Sequence, residues 1–379
     1  VLSVYFLIVF YFFLDYLTYR LTLVSALAIG AISVFIFLDT GYTAYFSSFY
    51  AEPVAFIGLL GCITCVLLYL DRRYPSTVLL VAFLINGVIL TFSKQQFAPI
   101  GILLGVMIFL FFRKERSKWF KSLVGVFSLA LIVSGAATYL LISTSFTNIN
   151  MYHSMTRGVM MTAENPAKAL QSFDIDGQFE LLDSTIYFDK YPEIDPENQL
   201  LLDDFYSRYN VVSILKYYAE NPKAFTDMLN LAAKSAYRNR PNMGNYEYSA
   251  GLPANTLTDS FTLFSKIKLA YTPKTLGFII IWTVLVLALL YKKRAKMLTV
   301  FGLIIIGLSQ VLVSIIGAGD ADLAKHIFLY NVAFDIVNVI LLANVIGFLD
   351  NLYQKKHPRL PVAGPPAELD ADQSIYKNT

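Results

Sequence analysis

Long apolar stretches, each closed by a short polar break, run along most of the chain. Nine of them, at about 1–18, 21–38, 53–70, 77–92, 98–112, 122–143, 275–291, 297–317 and 327–349, lie near the ~20 residues a helix needs to cross a bilayer. The fifth is short enough to be re-entrant, but the loops on either side argue that it crosses. One polar interval, 144–273, is far longer than a connection and carries helix signals of its own. Asn221-Pro222 reads as an N-cap with proline in the first turn, ahead of apolar positions at Phe225, Met228, Leu229, Leu231 and Ala232. The stretches 157–170 and 257–270 read as helices too. The pattern predicts an all-α polytopic membrane protein of four parts. These are a six-span module (1–143), a mainly helical extracytoplasmic domain (144–273), a three-span module (274–350) and a disordered cytoplasmic tail (351–379).

Charge gives the spans a direction. Basic clusters occupy every second loop: Arg72-Arg73, Arg113 to Lys121, Lys292-Lys293-Arg294 with Lys296, and Lys355-Lys356 with Arg359, joined by Arg20. The positive-inside rule places these loops in the cytoplasm, and puts 39–52, 93–98, 144–273 and 318–326 outside. The long interval has 15 Asp and Glu against 11 Lys and Arg, an acidic balance that a translocated domain tolerates. With 56% hydrophobic and 15% charged residues, composition excludes an ordinary soluble enzyme and a disordered chain. Nine crossings with the C-terminus inside put Val1 outside, in an apolar run without a leader. The expectation is therefore a fragment that lacks at least one upstream helix and the loop after it. Cys62 and Cys65 lie inside an apolar run where a thiolate is disfavoured, so they read as small residues on a packed helix.

Ionisable groups at the bilayer boundary are costly and mark candidate chemistry. Asp39 ends one span and Glu52 opens the next, before Pro53, with a Tyr- and Phe-rich loop between them. They read either as helix-end carboxylates in solvent and at a helix dipole, or as two acids facing one outer cavity beside a sugar-stacking aromatic face. Lys94 and Gln95 stand against the fifth span, where Lys94 reads as an interfacial anchor or as a phosphate ligand. Lys325 and His326 open the last span and suit either a phosphate or a local ion-pair cluster. His153 and Arg157 follow the sixth span closely and suit a pyrophosphate or the domain's own acids. Asp335 lies about two turns inside a span, which marks a functional or internally paired group. The chain has no Walker A motif, no G-x-G-x-x-G after a strand, no H-E-x-x-H and no nucleophile elbow. Its small basic clusters are explained by sidedness, so a nucleic-acid partner is excluded.

Taken together these features resemble the GT-C class of membrane glycosyltransferases, nearest to bacterial hexose transferases of surface-glycan and S-layer glycan biosynthesis. The likeness rests on Asp39 through Pro53, Ser93-Lys94-Gln95 with Pro99, Tyr152 through Gly158, and Ala324-Lys325-His326 through Asn331 to Asp335. It implies transfer of a hexose from a polyprenyl-phosphate carrier to a glycan or lipid-linked acceptor on the outer face of a bacterial cytoplasmic membrane. Asp39 and Glu52 are the candidate catalytic carboxylates, and the resemblance implies that Asp39 orients the acceptor or holds a divalent metal. It implies that Lys94, Gln95, His153, Arg157, Lys325, His326 and Asp335 bind substrate or phosphate. Asp39 matches the family's second acidic position, and the family's first-loop acid falls upstream of Val1. No metal ligands are assigned, and a divalent cation such as Mg or Mn stays open. Two rival readings are a transporter or flippase with a polar path through Asp335, Asn338 and Lys325, and a non-catalytic membrane scaffold.

Overall fold

The structure is a computed structural model. It describes residues 1–357 except 114, 116, 142, 143, 191, 243 and 245. Of the disordered tail expected over 351–379, residues 351–356 are helical instead, and 358–379, like Lys114 and Arg116 of the second basic cluster, lie outside the described residues.

Each apolar segment forms a helix, and these nine are labelled in chain order. They are α1 (Leu2–Thr18), α2 (Leu23–Phe37), α3 (Glu52–Leu70), α4 (Ser76–Phe92), α5 (Ala98–Phe112), α6 (Lys118–Leu140), α7 (Leu276–Leu290), α8 (Arg294–Ala318) and α9 (Phe328–Lys356). No strand occurs among the described residues. Five helices are long and apolar enough to cross a membrane alone: α3, α5 with its leading turn, α6, α8 and α9. Two more qualify as bent pairs, α2 with 40–47 after a 48° bend and α7 with Leu263–Tyr271 after a 108° bend. The remaining two, α1 and α4, are apolar but 17 residues long, about 25 Å at the helical rise. α9 runs past 350 to Lys356, where Gln354 donates back to Asp350 and Lys355 and Lys356 complement the helix C-terminus.

α3 is the axis of the bundle. Its apolar window is 89% buried, against 22% for the peripheral α6, and it packs on α1, α4, α8 and α9. Small residues permit the closest approaches, because apolar bulk gains nothing between helices already in lipid. A Cβ on Gly61 would collide with the Asn86 amide of α4, and one on Gly101 of α5 would meet the Leu131 carbonyl of α6.

Polar contacts sort to the two ends of the bundle. At the basic end Arg73 grips Asp15 with both 2.7 Å bonds, Ser25 donates to Asp350, Ser76 to Glu115, and Lys293 and Lys296 to Asn344. At the opposite end the loops 39–52, 93–98, 144–273 and 318–326 bond to one another. The long interval lies at this second end as short helices and turns. Pro222–Ser235 begins at its proline, although the Asn221 amide bonds back to Tyr217 rather than capping the helix. Residues 155–160 form a π-helical turn, and the next helix, Pro166–Gln171, starts afresh behind the Asn165 cap. The aromatic core of this region, with Tyr152, Phe179, Phe205 and Met228, continues into Val311 and Ile315 of α8 and Tyr330 and Phe334 of α9. The loop is therefore seated on the spans through one shared core.

Candidate active site at the non-basic end

Asp39 caps the first turn of its loop. It accepts from the Gly41 amide at 2.7 Å, from the Ser265 amide at 3.1 Å and from the Ser265 hydroxyl. The carboxylate is 1% exposed and fully engaged. Asp335 is engaged too: Lys268 Nζ donates to it at 2.8 Å and to Asn239 at 2.8 Å, and the Tyr42 hydroxyl donates to it as well. Lys268 and Asp335 side chains are 3% and 2% exposed, an ion pair sealed between Leu263–Tyr271 and α9. Sequence reasoning missed Lys268, which looked like one more cation on an amphipathic helix. Only its partner, 67 residues away, gives it meaning.

A second cluster forms where α3 and α5 begin and α9 approaches. Glu52 sits in the first turn of α3, 1% exposed, with its carboxylate 3.3 Å from Lys94 Nζ. Burial pushes the Lys94 ammonium down, with Glu52 opposing the shift and Lys325 adding to it. Lys325 Nζ lies 4.4 Å from the ring centre of Tyr50, a cation over an aromatic face. Gln96, rather than Gln95, ties this cluster to the last loop. Its amide donates to the His326 carbonyl and to Ser314 at 3.0 Å, and its oxygen meets His326 Nδ1 at 2.9 Å. Gln95 instead accepts from Asn150 at 3.4 Å. Burial, with Lys94 and Lys325 nearby, pushes His326 down to about 3, so the ring is neutral at neutral pH.

Two more candidates are spoken for. Arg157 forks onto Asp320 at 2.6 and 2.8 Å and donates to the Ser184 carbonyl at 2.6 Å. His153 accepts the Tyr187 amide at 2.9 Å, and burial pushes it down to about 4. The structure thus brings together Glu52, Lys94, Lys325 and His326, and gives Asp39, Asp335, Arg157 and His153 private partners. The aromatic loop is also less open than its composition suggests. Tyr42 and Tyr45 are buried against Phe56 and Phe328, leaving Phe49 exposed and Tyr50 half-buried. Among the described residues the buried Tyr45 hydroxyl has no hydrogen-bond partner.

A cleft of about 510 Å³ opens at this same end, lined by Asn230, Lys234, Lys274 and Asp320 among others. None of Asp39, Glu52, Lys94 and Lys325 lines it. Among the described residues no three His, Cys, Asp or Glu side chains gather to hold a metal. Cys62 and Cys65 are buried and unbridged.

Fold and site define a multi-pass helical membrane protein with a folded loop over a lysine–carboxylate cluster at one end of its bundle. The family described as the YfdI N-terminal transmembrane domain matches residues 1–360, and the chain belongs to it. None of the curated proteins and none of the solved structures compared with the chain matches it.

Proposed function

We propose that the protein is an integral-membrane glycosyltransferase of GT-C type. It moves a hexose from a polyprenyl-phosphate carrier to a glycan or lipid-linked acceptor at the non-basic end, the outer face of the cytoplasmic membrane. The observation that carries the reading is the Glu52–Lys94 pair with Lys325 beside it. Membership of a glycosyltransferase-like membrane family supports it.

In the reaction the bond between the sugar's anomeric carbon and the phosphate oxygen breaks, and the electron pair leaves with polyprenyl phosphate. Lys94 and Lys325 stabilise the charge gathering on that oxygen. The acceptor hydroxyl forms the new glycosidic bond and passes its proton to Glu52. The single 3.3 Å contact between Lys94 and Glu52 suits this division, because a phosphate that draws off Lys94 frees the carboxylate to act as base. Asp39, saturated by Ser265 and Gly41, shapes the loop instead of reacting.

The test uses membranes holding the full chain, a panel of radiolabelled polyprenyl-phosphate hexoses and native membrane acceptors. Wild type transfers label from one donor. Glu52→Gln lowers the rate by about 10²–10⁴-fold, the usual worth of a general base, at unchanged protein level. No transfer from any donor, or Glu52→Gln within about threefold of wild type, defeats the reading.

A further inference from the structure

At the basic end, far from the cluster just described, the ends of four spans line an open cavity of about 160 Å³. Tyr16 and Tyr19 of α1 and its cap wall one side, and Ile340 and Asn344 of α9 another. Asp71, just beyond α3, and Lys296, in the first turn of α8, supply opposite charges. These two charges do not meet. Lys296 donates to Asn344 at 3.2 Å and lies 5.2 Å from the ring centre of Tyr16. The Asp71 carboxylate makes no hydrogen bond or ion pair among the described residues, although Lys296, Arg73 and Arg20 stand within electrostatic range. Arg73 is already committed to Asp15 and to the face of Tyr19, 3.8 Å away.

An unpaired anion and a cation across one small aromatic-walled cavity ask for a ligand carrying the complementary charges. Their exposure sets its orientation. Lys296, in the first turn of its helix, is half-buried between the spans, whereas Asp71 follows the last residue of α3 and is exposed. A lipid whose phosphate lies next to the glycerol and whose ammonium points to water has that order of charges. A primary ammonium can donate hydrogen bonds to Asp71, as a quaternary one cannot. A purely anionic headgroup would satisfy Lys296 but stand against Asp71, unlike the all-basic pockets that take anionic lipids.

We propose that this cavity is a binding site for the phosphoethanolamine headgroup of a membrane lipid, with the phosphate on Lys296 and the ammonium on Asp71. The site is independent of the glycosyltransferase reading.

The full chain, purified in detergent and stripped of lipid, is titrated with phosphatidylethanolamine, phosphatidylglycerol or phosphatidylcholine of identical acyl chains. Retained lipid is read by native mass spectrometry. Wild type retains phosphatidylethanolamine about tenfold better than the other two, the worth of one charge-assisted hydrogen bond. Asp71→Asn, which removes no bond of the fold, brings phosphatidylethanolamine level with phosphatidylglycerol, and Lys296→Gln weakens both. Equal retention of the three lipids by wild type, or an undiminished preference in Asp71→Asn, overturns the proposal. Soluble glycerophosphoethanolamine separates lipid from free headgroup. Failure to displace the lipid at equal concentration supports the membrane source, and full displacement overturns it.

Discussion

Lys268→Met is the sharpest perturbation of this architecture. The substitution keeps the length and apolar stem of the side chain and removes only the ammonium that holds Asp335 and Asn239. Both members of the pair are almost wholly buried, so water cannot replace the lost partner. Breaking a buried pair on one side costs about 3–5 kcal/mol, because the remaining charge stays desolvated. For a cooperative unit of 150–250 residues each kcal/mol moves the melting midpoint by about 2–4 °C, which gives a fall of roughly 6–20 °C. The double variant Lys268→Met/Asp335→Leu removes both charges and is expected to recover at least half of that loss. Full recovery is prevented by the Asn239 amide oxygen, left unpaired at about 1–3 kcal/mol, and by the Tyr42 hydroxyl, left with only its 3.3 Å bond to the Asn331 carbonyl. The measurement is thermal unfolding of the purified full chain, followed by tryptophan fluorescence and far-UV dichroism. A wild-type midpoint for Lys268→Met would refute the argument. So would a double variant whose loss is the sum of the two single losses, since a true pair must be non-additive.

Acid should destabilise the protein through its two buried histidines. His326 and His153 have folded values of about 3 and 4, below the ordinary 6.5, so the unfolded chain binds more protons as pH falls below 6.5. Stability is then lost on acidification, by about 2 kcal/mol per histidine at pH 5. Unfolding curves at pH 7 and pH 5 should show this, and His326→Gln should remove about half of the difference. Arg157→Lys cannot reproduce the fork onto Asp320 or the Ser184 bond, and is expected to cost about 1–2 kcal/mol. Hydrogen exchange confined to 318–323 would register it, and unchanged protection there would count against the clamp. Gly61→Leu forces a side chain into Asn86 and should destabilise by about 1–3 kcal/mol or more, whereas Gly30→Leu, with open space around its Cβ position, should be silent in the same melt.

The spans were legible because lipid imposes one simple demand, a continuous apolar run, and the helices end within a few residues of where those runs end. Loop basicity sorted the connections into two sets, and bonds such as Ser76 to Glu115, Lys94 to Glu52 and Arg157 to Asp320 each stay within one set. Asp335 was conspicuous because a carboxylate inside a span must be paired. What it pairs with was not legible. Nothing local distinguishes Lys268 from its neighbour Lys266, which bonds the exposed Asp259. Asp39 has the same difficulty, since its main partner, Ser265, is 226 residues away. The choice between Gln95 and Gln96 turned on one residue of rotation in a tight turn, finer than periodicity resolves. The loop tyrosines misled for another reason: composition does not say which rings face a core, and Tyr42 and Tyr45 do.

The near-complete enclosure of α3 bears on how the protein is made. Two of the four helices around it, α8 and α9, begin only at Arg294 and Phe328, more than two hundred residues after α3 ends at Leu70. At synthesis rates of about 5–20 residues per second, α3 waits roughly 10–50 s before its later neighbours begin to emerge. During that time its flanks must face acyl chains, which its strongly apolar sequence permits. The mature arrangement then arises by lateral gathering in the plane of the bilayer, with late-made helices displacing lipid from an early-made one.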